Sequence, residues 1–265
     1  MKQITLPGTS LSVSRFTFGT ASLFTAGTPR ERQDLLAAAY DHGFRHFDTA
    51  PYYGYGVAER ELAPLLAAHP DATVTTKVGL YSPGGENQSD MIIFARKAAG
   101  KLLPALSRPT ADLSVARARR ALDDSLKRLG RDHVDLYLLH EPDIAMLDTD
   151  EWRRWLETEK SRVGAFGLAG PTGRLLPFVT RGDPLAQVLQ AKDSIAQGEA
   201  EYIVKSGRPL QLTYGYASAA LAGGVGGPAV EMILDEALKR NATGSILVST
   251  RKVDRLSLYA RLAGS

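Results

Sequence analysis

Eight short apolar runs, each followed by a stretch with helical spacing, set the tightest limit on what this chain can fold into. The runs begin at Phe16, Phe44, Thr73, Val134, Val163, Leu185, Leu210 and Ser245. Alternation of strand and helix builds a parallel sheet with right-handed crossovers. Eight such units in 265 residues favour a closed (β/α)8 TIM barrel over an open doubly wound sheet. No Gly-x-Gly-x-x-Gly opens a helix after a strand, which also speaks against the open dinucleotide-binding fold. Upstream, Pro7-Gly8-Thr9-Ser10 supplies a turn, so residues 3–19 read as an antiparallel hairpin leading into the first barrel strand. Residues 1–265 read as a single domain, with an insertion at about 81–112 where the rhythm breaks.

Helix boundaries are marked by specific residues. Thr28-Pro29-Arg30-Glu31 combines an N-cap, a proline at the first helical position and a capping-box glutamate. Gly43 suits the left-handed end of that helix. Ser114 and Gly130 frame another helix, rich in Arg and Lys. Its basic residues resemble a nucleic-acid patch. However, Asp123/Lys127 and Asp124/Arg128 are spaced i,i+4, so the face reads as solvated and internally paired. The run Ala217 to Gly224 is made of small residues and reads as a loop.

Composition excludes several function classes. A net charge of +3 and a pI near 9.0 are too mild to argue for nucleic acid, but would favour an anionic cofactor or substrate. With no cysteine, disulfides and thiolate metal sites are ruled out. No metal site is expected, because neither a His-Glu-x-x-His pair nor paired carboxylates at strand ends occur. Met1 to Gly8 lacks an apolar leader core, and no apolar run approaches membrane-spanning length. A cytoplasmic protein with no membrane partner is therefore expected.

The chemistry concentrates at strand ends. Asp48 closes the Phe44 run, Lys77 the Thr73 run and His140 the Val134 run, while Tyr53 follows Asp48 by five residues in a Gly- and Tyr-rich loop. Singly, each has a plain structural use: a turn cap, loop packing, a solvated cation, a satisfied core histidine. Together, at the face where barrels of this kind build their sites, they form a proton-transfer set. A phenol loses its proton near pH ~10. Lys77 beside Tyr53 is expected to lower that value, with Asp48 holding the lysine and His140 bonding a carbonyl oxygen. The set lacks a hydride donor, which a cofactor must bring.

The residues that carry this chemistry resemble the aldo-keto reductase superfamily. The matching runs are Gly43 to Gly54, Thr76-Lys77-Val78-Gly79, Leu122 to Leu129 and Val134 to His140. The resemblance implies a barrel with an N-terminal β-hairpin closing its bottom. It also implies an extended nicotinamide cofactor, usually NADP, and the catalytic tetrad Asp48, Tyr53, Lys77 and His140. The implied cofactor contacts are Thr20, Gln190, Tyr214 (with Tyr216 as the alternative stacking ring), Ser249, Thr250, Arg251 and Arg255. The two arginines would clamp a 2′-phosphate. The implied substrate is a small carbonyl compound or sugar. Two departures stand out. The family's Ser-Asn pair after the fifth strand is Ala169-Gly170 here, and its adenine-contacting Asn is Tyr259. The alternative reading is an NADP-binding or regulatory barrel with little turnover.

Overall fold

A computed structural model describes residues 1–100, 103, 107–222, 224 and 227–264. Strands β1 (Gln3–Thr5) and β2 (Ser12–Ser14) form the antiparallel hairpin. The chain then runs through β3 (Phe16–Gly19), α1 (Pro29–Asp41), β4 (His46–Asp48), α2 (Val57–Ala68) and β5 (Thr73–Val78). The inserted stretch holds the two-residue strands β6 (Leu80–Tyr81) and β7 (Thr110–Ala111) with α3 (Asp90–Ala99) between them; residues 101, 102 and 104–106 of the insertion lie outside the described residues. The barrel resumes with α4 (Val115–Leu129), β8 (Val134–His140), α5 (Thr149–Thr158), β9 (Val163–Gly170), α6 (Thr172–Arg181) and β10 (Val188–Lys192). It finishes with α7 (Glu201–Lys205), β11 (Leu212–Tyr214), α8 (Tyr216–Ala222), α9 (Gly227–Arg240), β12 (Ser245–Val248) and α10 (Asp254–Leu262).

Eight parallel strands close in the order β3, β4, β5, β8, β9, β10, β11, β12. Closure comes from Ile246, Leu247 and Val248 pairing with Phe16, Thr17 and Phe18. The expected (β/α)8 barrel is therefore present, and each of the eight apolar runs contributes a strand. Side chains of period two decide what each strand sends inward. On β8, Leu136 and Leu138 fill the interior, together with Ala165, Ala169, Val188 and Leu212, while Tyr137 and Leu139 pack outward against the helices. The next inward position on β8 is His140. The same parity brings Asp48, Lys77, Gln190 and Tyr214 to the carboxyl-end mouth. At the other end, Leu6 and Val13 of the hairpin join the interior cluster, so the hairpin closes the bottom. Gly167 is needed where β9 meets β10, because a Cβ there would run into the carbonyl oxygen of Val188.

Three local expectations are corrected. Leu185 is not in a strand: Pro184 to Ala186 make a 3-10 turn held by the Asp183 side chain accepting from the Leu185 N–H, and β10 starts at Val188. The small-residue run is not a loop: Tyr216–Ala222 form α8, and Gly223 lies outside the described residues. Alanine, which supplies most of α8, is the strongest helix former. On α4 neither expected i,i+4 pair forms. Arg128 turns inward to Glu59 on α2 at 2.6 Å, Asp123 pairs with Arg162, and Lys127 reaches Asp124 at 4.0 Å. The packing of α4 on α2 buries Glu59 completely, and a buried carboxylate demands a cation.

Candidate active site

Asp48, Lys77 and Tyr53 are in direct contact. The Lys77 ammonium donates to Asp48 Oδ1 at 2.6 Å, to the Thr49 carbonyl at 3.0 Å and to the Tyr53 hydroxyl at 3.2 Å. Asp48 is 2% and Lys77 1% exposed, so the pair is fully desolvated and its three hydrogen bonds matter. Tyr53 arrives from a tight turn: Gly54, Tyr55 and Gly56 all have positive φ (59°, 58° and 82°), which folds the loop back over the strand ends. His140 faces the same phenol from β8, with ring centroids 6.0 Å apart and planes at 86°. All four residues of the expected tetrad therefore meet at one spot.

The electrostatics of that spot differ from the sequence-based expectation. Burial raises the Tyr53 phenol well above its usual range, and the Asp48 charge pushes in the same direction. The expected lowering by Lys77 does not prevail, because desolvation of the buried phenol is the larger effect and the Asp48 carboxylate adds to it. Burial pulls Lys77 down, opposed by Asp48. His140 is held at about 3, by burial first and then by Lys77, so its imidazole is neutral. In this state the site holds a protonated phenol and a neutral imidazole.

Asp48, Tyr53 and His140 border a cavity of about 740 Å³ that crosses the mouth of the barrel, and Lys77 lies buried behind them. Gln190 and Tyr214 line it from β10 and β11; Ser249 and Arg255 line it from the segment that follows β12. The remaining expected contacts are placed differently. Thr20 is 1% exposed and donates to the Asp48 carbonyl at 3.0 Å. Thr250 spends its hydroxyl within its own turn, on Lys252. Arg251 is exposed and does not border the cavity. Tyr216 is buried with its hydroxyl on Asp193 at 2.6 Å, so the ring facing the cavity is that of Tyr214.

The family model described as "Aldo/keto reductase family" matches residues 15–161. The chain belongs to this family. Among curated proteins it is 33% identical over 191 residues to a D-threo-aldose 1-dehydrogenase from Pseudomonas, covering 68% of this chain and 57% of that one. It is likewise 33% identical over 152 residues to a pyridoxal 4-dehydrogenase from Microbacterium luteolum, covering 50% of this chain and 41% of the relative. The chain thus spans about half the length of the curated relatives it matches. An aldo-keto reductase from Bacillus halodurans, solved in its holo form, superposes with a TM-score of 0.76 over 100% of this chain and 91% of its own, at 19% identity. That likeness shows the fold.

Seen as an aldo-keto reductase, the cavity keeps some family features and lacks others. Ala169 and Gly170 border it without a polar side chain. Gln190 is the remaining amide, and its Nε2 donates to Asp48 Oδ2 at 2.6 Å. The orientation is fixed chemically, because a carboxylate only accepts; Oε1 is left as the free acceptor. The sequence did not reveal this tie between β10 and β4. It also did not reveal the buried Glu59, which accepts from Thr76 at 2.6 Å and from Arg128, behind Lys77. A glutamate in the first turn of a helix reads as a solvated residue complementing the helix dipole, and only the packing of α4 overrides that.

Proposed function

We propose that this chain is an NADP-dependent oxidoreductase acting on the carbonyl group of an aldehyde, ketone or sugar, with Tyr53 as general acid and base. One observation carries the reading: a buried lysine touches both an aspartate and the hydroxyl of a tyrosine, at the wall of a cavity large enough for a cofactor and a small substrate. We also take the 265 residues to act as one barrel domain.

The residues at hand account for the proton side of the reaction. The raised pKa of Tyr53 keeps the acid loaded before reaction. A substrate carbonyl oxygen between Tyr53 and the neutral imidazole of His140 would accept hydrogen bonds from both. When bound, the nicotinamide supplies the hydride. As negative charge builds on the carbonyl oxygen, Tyr53 gives up its proton, and the phenolate left behind lies against the Lys77 ammonium. Positioned proton transfer of this sort contributes about 10²–10⁴-fold. Gln190 Oε1, the Tyr214 ring, Ser249 and Arg255 would hold the cofactor, Arg255 at its 2′-phosphate.

The absence of the Ser-Asn pair favours a second reading, a barrel that binds NADP with little turnover. One experiment separates the two. NADPH is titrated into the protein, and single-turnover oxidation of bound NADPH is then followed with a panel of aldehydes and sugars. Hydride transfer to any of them supports the enzyme; tight binding without transfer supports the binding barrel; no binding removes both.

A further inference from the structure

Glu141 follows His140 at the mouth of the barrel and has a φ of +50°, a conformation that side chains with a Cβ rarely adopt. Its backbone is anchored on both sides. The N–H donates to the Ala169 carbonyl at 2.7 Å, and the carbonyl accepts from Arg174 Nη1 at 3.5 Å. The residue borders the cavity together with Tyr53 and His140, at a solvent-exposed position on its rim. Gly170 lies next to this backbone: a Cβ there would be 3.4 Å from Glu141 Cα, at van der Waals contact.

The surrounding charges leave the Glu141 carboxylate unmatched. Lys77 is spent on Asp48. His140 and Tyr53 are neutral. Arg174 bonds the backbone of Glu141, and Lys192 is turned to Glu199 at 3.9 Å. Arg255 borders the same cavity, but beyond β12, which lies diametrically across the eight-strand ring from β8. Among the described residues, then, Glu141 makes no ion pair at the reaction end of the cavity, while the cation that borders the cavity, Arg255, sits at the far end.

We infer that Glu141 is a charge filter for substrate. It admits neutral, hydroxyl-bearing carbonyl compounds, whose O–H groups donate to its carboxylate, and turns away carbonyl compounds that carry a carboxylate or phosphate. The inference rests on the oxidoreductase reading for the word substrate, but the selection by charge is a binding property. The left-handed backbone and its two anchors hold Glu141 at the solvent-exposed rim of the cavity, from where its charge still acts on Tyr53 and Tyr214.

The test compares wild type with Glu141→Gln, which keeps the size and hydrogen-bonding reach of the side chain. Reduction of glyceraldehyde and of glyoxylate by NADPH is measured with both proteins. Calorimetric titration of oxamate, an unreactive anion of glyoxylate's shape, is run alongside. The ratio of kcat/KM for glyceraldehyde over glyoxylate should fall about tenfold or more in the variant, mainly through the KM for glyoxylate. Oxamate should bind the variant more tightly by a similar factor. Comparing ratios cancels the different intrinsic reactivities of the two aldehydes. Equal oxamate affinity in both proteins overturns the filter, whatever the turnover. Should neither aldehyde be reduced while oxamate still prefers the variant, the filter stands and the oxidoreductase reading falls.

Discussion

Gln190 on β10 donates through Nε2 to Asp48 Oδ2 at 2.6 Å, across 142 residues of sequence. The other carboxylate oxygen belongs to Lys77. Asp48 is therefore held from two walls of the barrel, and the wall that would receive the cofactor's amide is joined to the proton-transfer set. Gln190→Glu places two carboxylates in contact, and they cannot both ionise cheaply. One of them then has a folded-state pKa above its unfolded value. The resulting destabilisation is full at neutral pH and fades as pH falls through that raised pKa. Urea midpoints should show the variant well below wild type at pH 7 and approaching it near pH ~5. A constant gap across pH would mean that the contact does not exist.

Tyr53→Phe should abolish most carbonyl reduction, by about 10²-fold or more, while NADPH affinity changes little. The ring still packs against His140 and Lys77; only the hydroxyl is removed. Rates should be taken from single turnovers, so that product release does not mask the chemical step. Turnover at the wild-type level would remove Tyr53 from its role.

Lys77→Met leaves Asp48 buried with Gln190 alone. Stranding one member of a buried pair typically costs about 3–5 kcal/mol. Denaturant unfolding should show a loss of that order. Adding Asp48→Asn to the same chain should recover part of it, because the uncompensated charge is gone. If the double variant is no more stable than the single one, the pair is not the origin of the loss.

Arg251 and Arg255 should separate in cofactor binding. Arg255 borders the cavity and Arg251 does not. A charge-assisted hydrogen bond is worth roughly 1.5–3 kcal/mol, so Arg255→Ala should weaken NADPH by about tenfold or more and NADH far less. Arg251→Ala should have the smaller effect. Fluorescence titrations of both cofactors at fixed salt decide this. Equal weakening of NADH and NADPH by Arg255→Ala would remove the 2′-phosphate contact.

His46 sets part of the acid limit. It is fully buried, with its ring nitrogens 2.7 Å from the hydroxyls of Thr73 and Thr75, and burial followed by the Lys77 charge holds its pKa at about 3. The unfolded chain titrates near ~6.5, so it takes up the proton first as pH falls. This contribution to stability is full above pH ~6.5 and is lost progressively toward pH ~3, by up to about 1.4 kcal/mol per pH unit. His140 acts in the same sense. Urea midpoints measured from pH ~7.5 to ~4.5 should fall in wild type and fall less steeply in His46→Gln. Identical slopes would show that His46 is not the buried neutral group described.

The eight-fold alternation of apolar runs and helical spacing was enough to specify the barrel, because a strand buried on both faces and an amphipathic helix each carry their signature locally. Capping at Thr28 and Ser114 was legible for the same reason: the cap and the amides it serves lie within three residues. Strand-end position likewise placed Asp48, Lys77 and His140 at one mouth. Tertiary structure alone decided the rest. Which arginine borders the cavity, which tyrosine faces it and which partners Arg128 and Gln190 take all depend on contacts between distant segments. The direction of the Tyr53 shift was also misread from sequence. A residue list shows that a lysine is near a phenol, but not that the phenol is buried and shares its site with a carboxylate, both of which raise its pKa. Desolvation is a property of the packed neighbourhood, and it acts on every one of these groups at once.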